Sequence, residues 1–173
     1  ADFTDDEDDF FGSTGNHGTL CLTAIIAETA DYQGTATEAE YFLFRTEEHS
    51  TESPKEIDNW VAAIEMADSL GLDIVSTSLG YTTFDDESFN FAYADMDGRS
   101  SRGAQAAIIA ARKGMLLIVA AGNDGNKAWH YLSTPADADS ILTVGAVDID
   151  RAIANFSSFG PSADGRIKPE ICA

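Results

Sequence analysis

The hydrophobic positions of this chain alternate between helical spacing and short continuous apolar runs. The best-specified helix covers residues 54–70: Pro54 stands at its first position, apolar residues follow three or four apart, and Gly71 can end it in a left-handed conformation. Ser53 and Glu56 have the spacing of a capping box, in which the glutamate reaches back to the backbone of the capping residue. These signals predict both ends of the helix.

Three apolar runs predict the strands of a sheet. They cover residues 73–77, 115–121 and 141–147, and a helix over residues 102–112 precedes the second run. The last two runs are continuous, which is typical of strands covered on both faces. Alternation of helices with such strands predicts an α/β fold, a three-layer α/β/α arrangement with a mainly parallel sheet and a ligand site at the carboxyl ends of its strands.

The remaining segments carry weaker signals. Residues 1–11 are acidic and lack a hydrophobic period, so we interpret them as a loop. A compact buried helix is predicted just after residues 17–19, extending through residue 26. Residues 41–44 predict a short interior strand, and residues 82–101 predict an irregular surface excursion.

Charge and length narrow the function classes. The chain has 173 residues and a mass of 18.5 kDa, which suits one domain. Thirty acidic against ten basic residues give a net charge of −20, which argues against nucleic-acid partners and against binding at anionic membranes. No apolar run is long enough for membrane insertion. Cys21 and Cys172 lack metal-binding spacing; we expect Cys21 to be buried and unpaired, with a long-range disulfide as the alternative.

Three short segments carry residues suited to catalysis. His17 stands at a predicted helix start, residues 78–80 follow one strand, and Asn123 follows another within residues 120–125. A histidine can act as a general base, and a side-chain amide can donate to a developing oxyanion. Each has an ordinary structural interpretation when taken alone: an exposed or structural histidine, the end of a strand, and a turn.

Together and in this order, the segments resemble the subtilisin-like serine peptidases, the subtilase family. Its catalytic histidine lies in a His-Gly-Thr motif, and its oxyanion asparagine lies in an Ala-Ala-Gly-Asn motif; both motifs are present here. The resemblance runs from about Asp2 to Ala173. It is carried further by residues 60–64, 73–80, 135–136, 144–148, 156–161 and 168–171. The pattern over residues 44–47 is similar to that of secreted subtilases of Bacteroides-type bacteria.

The resemblance implies a role for each matching residue. His17 takes the proton of a serine hydroxyl and later protonates the leaving amine, and Asn123 donates its amide to the tetrahedral oxyanion. The first wall of the pocket for the side chain before the scissile bond is formed by Ser78, Leu79 and Gly80. The second wall is formed by Ala120, Ala121 and Gly122. An extended peptide pairs with the backbone of residues 78–80 as an added strand. The small residues predict room for a large apolar side chain.

The chain also departs from the family pattern. It has no Gly-Thr-Ser nucleophile motif, sixteen residues precede His17 without an aspartate that ends an apolar strand, and Leu20 stands where the family commonly has a second histidine. We therefore expect residues 1–173 to be part of a catalytic domain that lacks the triad aspartate strand and the nucleophile segment. Such a segment is inactive alone, whereas the parent protein hydrolyses protein or peptide substrates. The alternative is a non-catalytic α/β module that binds a peptide or another partner.

Cofactors and location follow from the resemblance alone. No metal ligand is assigned and no cofactor is expected, although calcium stays open because many subtilases hold it in surface loops. The acidic residues from Asp2 to Asp9 are either a solvated charge run or calcium ligands without a recognisable loop spacing. His49 and His130 are interpreted as structural or exposed. The family predicts a secreted or cell-envelope protein, and no oligomeric state is predicted.

Overall fold

A single parallel sheet organises the part of the chain that the computed structural model describes, residues 1–4, 16–48 and 50–173. Its strands lie side by side in the order in which they occur along the sequence. They are β1 (Ile74–Thr77), β2 (Leu116–Ala120), β3 (Leu142–Gly145) and β4 (Ile171–Cys172). All three pairings are parallel, which confirms the predicted α/β class with its parallel sheet.

Three α-helices accompany the sheet in the described residues. They are α1 (His17–Ile26), α2 (Pro54–Leu70) and α3 (Arg102–Lys113). The bounds of α2 are those predicted, and α3 extends one residue further than predicted. Gly71 and Gly114 follow α2 and α3 with φ angles of 72° and 106°, in the left-handed region where a residue without a Cβ is favoured.

The N-terminus of α2 is fixed by one buried carboxylate. The side chain of Glu56 accepts the N–H of Ser53 at 3.2 Å and the N–H of Glu48 at 2.8 Å. The first bond is the predicted capping interaction, whereas the second ties the preceding loop to the helix. Glu56 is 1% exposed, so its hydrogen bonds replace most of the solvation that a carboxylate has in water.

Both α2 and α3 pack on one face of the sheet. The main core joins Trp60 and Ile64 of α2 with Ala107 of α3 and with Leu117 and Val119 of β2. Burying a side chain of this size stabilises the fold by about 1.5–3 kcal/mol. Alternation along the strands directs every second side chain away from these helices.

The opposite face of the sheet is largely open among the described residues. Ile74 of β1, Leu116 of β2 and Ile171 of β4 are each about half exposed there. The prediction that the apolar strands are covered on both faces therefore holds for one face in the described part of the chain. A continuous apolar run shows that a strand can be covered twice, but it does not say which segment provides the second cover.

The helix α1 begins at His17, three residues before the predicted start, and it is not buried. None of its residues is buried, and Leu20 is largely exposed. Its nearest backbone partners are local, since Gly34 donates to Ala27 and Ala36 donates to Ile25. The expectation of a compact buried helix was wrong for this reason: small and apolar composition does not identify a packing partner.

The predicted interior strand at residues 41–44 was also wrong. Phe42 and Leu43 are exposed, and these residues form no strand of the sheet. The backbone pairs instead with the first residues of the chain: the amino group of Ala1 donates to Leu43 at 2.8 Å, and Arg45 donates to Ala1 at 3.0 Å. The aromatic, apolar composition of this run did not show that it lies outside the sheet.

Candidate active site

The two predicted walls leave the sheet next to each other. Thr77, the last residue of β1, pairs with Val119 of β2, so the first wall (residues 78–80) follows directly beside the second wall (residues 120–122). Both strands run in the same direction, and both segments therefore lie at the carboxyl edge of the sheet. This is the position where open α/β sheets bind ligands.

Ser133 lies between the two walls, although no sequence pattern selects it. A Cβ atom on Gly80 would collide with its hydroxyl, and a Cβ atom on Gly122 would lie 3.3 Å from that hydroxyl. The backbone of the next residue is fixed as well, because Tyr81 donates to Thr134 at 2.9 Å and receives a bond from it at 3.2 Å. Both walls and the segment around Ser133 thus converge on one space.

The hydroxyl of Ser133 is close to both glycines, and it is the atom that a Cβ on Gly80 would meet first. Ser133 is 5% exposed, and its Oγ forms no hydrogen bond with any described residue. A serine before a turn is common, so only its three-dimensional position between Gly80 and Gly122 distinguishes it.

Asn123 directly follows the second wall. It follows β2 in the Asn123 loop (residues 122–125), its side chain is exposed, and its amide has no hydrogen-bond partner in the described part of the chain. The adjoining residues are held: Ser158 donates its N–H to Gly122 at 3.0 Å, and Gly125 donates to Phe156 at 2.9 Å. The amide is therefore free to donate to a ligand while its backbone is fixed on both sides.

His17 is the first residue of α1 and is exposed. Its Nε2 lies 3.6 Å from the thiol of Cys21, one turn further along the helix. Both Cys21 and Cys172 are free thiols, and Cys21 is half-buried rather than fully buried. No hydrogen bond in the described residues joins His17 to Asn123, so their meeting in one cleft stays a prediction.

An open cavity of about 400 Å³ lies beside the N-terminus of α2. This acidic cavity is lined by Glu47, Glu48, Ser50, Thr51, Glu52, Glu56 and Asp85. Partial burial, followed by repulsion from neighbouring carboxylates, raises the pKa of Glu52 to about 7. Burial also raises the pKa of Glu47, although the Tyr81 hydroxyl donates to that carboxylate at 2.6 Å and opposes the shift.

The described residues show no group of histidine, cysteine, aspartate and glutamate side chains arranged to hold a metal ion. Asp2 forms an ion pair with Arg45 at 3.1 Å. The other acidic residues of the predicted charge run, Asp5 to Asp9, lie outside the described residues, as does His49. The ring of His130 stacks on Phe159 with centroids 5.2 Å apart, which is the structural role expected for it.

None of the described helices is long and apolar enough to cross a membrane.

The fold is that of an α/β protein whose parallel sheet has the first and second walls side by side at its carboxyl edge. The family model described as "Subtilase family" (peptidase S8) matches residues 2–173. The chain therefore belongs to the subtilase family, and the resemblance seen in its motifs is confirmed.

Curated relatives are similar to the chain over most of its length. The human membrane-bound transcription factor site-1 protease is 28% identical over 162 residues, which is 90% of this chain and 14% of that protein. The subtilisin-like protease SBT6.1 of Arabidopsis thaliana is 26% identical over 164 residues, 91% of this chain and again 14% of the relative. The chain thus spans about one seventh of the length of these relatives.

Solved structures of proteases share the fold. The prenylagaramide maturation protease PagA superposes with a TM-score of 0.65 at 24% identity, covering 94% of this chain and 57% of that one. MycP1 with its N-terminal propeptide removed superposes with a TM-score of 0.62 at 21% identity, covering 92% and 55%. At these identities the likeness shows the fold.

Proposed function

We propose that the protein containing this chain is a serine endopeptidase that cleaves peptide bonds through a Ser-His-Asp triad. The observation that carries the proposal is the convergence of the first wall, the second wall and Ser133 at the carboxyl edge of β1 and β2. Membership of the subtilase family supports it, because relatives that match this chain are named as proteases. This chain supplies the general base and the oxyanion donor.

His17 is the proton carrier of the proposed mechanism. A serine hydroxyl outside the motifs of this chain attacks the substrate carbonyl carbon, and its proton passes to Nε2 of His17. The same proton then goes to the amine nitrogen as the peptide bond breaks. Water repeats the sequence on the acyl-enzyme, with His17 accepting a proton from water and returning it to the serine oxygen.

Asn123 stabilises the charge that forms on the carbonyl oxygen. Its exposed amide donates to the oxyanion, and removal of one such donor costs about 2.7–4 kcal/mol of transition-state stabilisation. The interaction is absent in the planar ground state, since the oxygen reaches the donor only when the carbon becomes tetrahedral. Asn123 therefore increases the turnover rate and contributes little to substrate affinity.

The substrate is a protein or peptide bound in extended form. The backbone of the first wall lies at the edge of β1, where an added strand can pair with it. A related fold, the PatG macrocyclase, is described in complex with peptide, at a TM-score of 0.54 and 20% identity, covering 82% of this chain and 36% of that one. The family also supports a secreted or cell-envelope location, which detection of the protein in culture supernatant would test.

Two measurements test the proposal on the full-length protein. A fluorophosphonate probe should label it, and Asn123→Ala should lower kcat by roughly 100-fold to 1000-fold with little change in KM. Asn126→Ala, an exposed amide three residues further along, is the matched control and should retain full activity. Residues 1–173 alone should neither hydrolyse casein nor react with the probe.

Other outcomes would contradict the proposal. A full-length protein that is not labelled but binds peptides would be a non-catalytic module. An unchanged kcat in Asn123→Ala would remove the oxyanion role from this residue. Labelling of residues 1–173 alone would place the nucleophile within this chain and contradict its assignment elsewhere.

A further inference from the structure

We infer that Ser158 is a positioning residue that holds the amide of Asn123 in place for the oxyanion. The inference rests on the proposed role of Asn123 and adds the group through which the fold fixes that side chain. Ser158 lies 34 residues from Asp124, to which it is hydrogen-bonded, and is 1% exposed.

Ser158 bonds to both residues that flank Asn123. Its backbone N–H donates to the carbonyl of Gly122 at 3.0 Å, on one side of the asparagine. Its hydroxyl oxygen accepts the N–H of Asp124 at 3.0 Å, on the other side. One residue thus fixes the two peptide groups between which the asparagine is attached, and these two groups set the direction of its Cα–Cβ bond.

Close contacts leave the Asn123 loop little freedom to shift. Gly122 has a φ of 117°, and a Cβ atom there would lie 2.8 Å from the Ser158 hydroxyl. A Cβ atom on Gly125 would collide with the backbone carbonyl of Ser157. The loop therefore packs directly on residues 157–158 at both of its ends, with the asparagine between them.

The hydroxyl has a separate function from the backbone of Ser158. Without it, the bond to Gly122 persists but the N–H of Asp124 loses its acceptor. The peptide group after Asn123 is then free to rotate, and the side-chain amide of Asn123 moves with it. Oxyanion stabilisation depends on donors that are already oriented, and a displacement of about 1 Å can cost 100-fold in rate.

The test is a double-mutant cycle on the full-length protease. Ser158→Ala should lower kcat by roughly 10-fold to 100-fold and leave KM within about twofold. In the Asn123→Ala background, Ser158→Ala should change kcat by no more than about twofold, because the group that it positions is already absent. Ser162→Ala is the matched control: this hydroxyl is also buried but accepts the N–H of Arg166 at 3.1 Å and bonds no residue of the Asn123 loop, so its loss should leave kcat unchanged.

A second variant separates positioning from folding. Ser158→Cys keeps a side chain of similar size but offers sulphur, a weaker acceptor, so it should fold and still lower kcat. Unchanged kcat in folded Ser158→Ala or Ser158→Cys would overturn the inference. An equal loss in the presence and absence of Asn123 would also overturn it. If Asn123→Ala itself leaves kcat unchanged, the proposed oxyanion role fails instead, which distinguishes the two failures.

Discussion

The thiol sulphur of Cys21 lies 3.6 Å from Nε2 of His17, one helical turn further along α1. Nε2 is the nitrogen that exchanges a proton with the serine hydroxyl in the Ser-His-Asp scheme. The distance is within reach of a thiol hydrogen bond, and any group added to the sulphur occupies space beside the reactive nitrogen. Cys21 is therefore a neighbour of the proposed general base rather than only a small core residue.

Alkylation of Cys21 should abolish the proposed peptidase activity of the full-length protein. Iodoacetamide attaches a carbamidomethyl group to the sulphur, and this group blocks access of the serine to His17. Cys21→Ala should keep most of its activity and resist the reagent, as judged by residual peptide hydrolysis over time. Cys172→Ala should remain as sensitive as the wild type. Equal inactivation rates in Cys21→Ala and the wild type would contradict the prediction.

Ser133 should set the size of the side chain accepted before the scissile bond. Ser133→Gly removes the hydroxyl between Gly80 and Gly122, so cleavage after phenylalanine should gain relative to cleavage after alanine by roughly 10-fold in kcat/KM. Ser133→Thr adds a methyl group and should shift the ratio in the opposite direction. Matched peptide pairs that differ only at this position provide the measurement, and identical ratios in all three proteins would exclude the role.

Local signals account for the elements that the sequence predicted well. The ends of α2 follow from Pro54, from the pair of Ser53 and Glu56, and from Gly71, all of which act within one turn of the helix. The parallel sheet follows from apolar runs that alternate with helices. The segments of both walls were selected as candidate site residues because they follow predicted strands. The end of a strand can be predicted because it coincides with the end of an apolar run.

Contacts between distant segments account for what the sequence did not show. Ser158 bonds the Asn123 loop across 34 residues, and Ser133 contacts Gly80 across more than fifty. Neither serine belongs to a pattern, since a hydroxyl has no preferred spacing. The prediction that α1 is buried failed for the same reason, because the apolar side of a helix does not specify the segment on which it packs.

Glu56 should contribute more to stability than any exposed acidic residue of α2. Glu56→Ala leaves the N–H groups of Ser53 and Glu48 without their acceptor, at a cost of about 2–4 kcal/mol in the free energy of unfolding. Glu56→Gln retains one acceptor oxygen and should cost less. Glu65→Ala, an exposed change on the same helix, should cost under about 0.5 kcal/mol. Urea denaturation of the full-length variants measures these values, and similar losses at both positions would contradict the capping role.

The acidic cavity should make stability fall as pH rises from about 5 to about 7. Burial and the neighbouring carboxylates of Glu56, Glu47 and Asp85 raise the pKa of Glu52 from its ordinary value of 4.5 to about 7. Between these values the folded state binds more protons than the unfolded state, so the free energy of unfolding declines with pH and levels off above the folded pKa. Because the Glu52 side chain is exposed to solvent, its contribution to the free energy of unfolding stays under about 1 kcal/mol.

Glu52→Gln isolates this contribution, because the amide cannot ionise and does not repel the other three carboxylates. Its free energy of unfolding should therefore change less than that of the wild type between pH 5 and pH 7.5, so that the variant gains in relative stability as the pH rises. Glu87→Gln, an exposed change away from the acidic cavity, should follow the wild-type profile. Parallel profiles for Glu52→Gln and the wild type would show that the carboxylates around Glu52 do not repel it in the folded state.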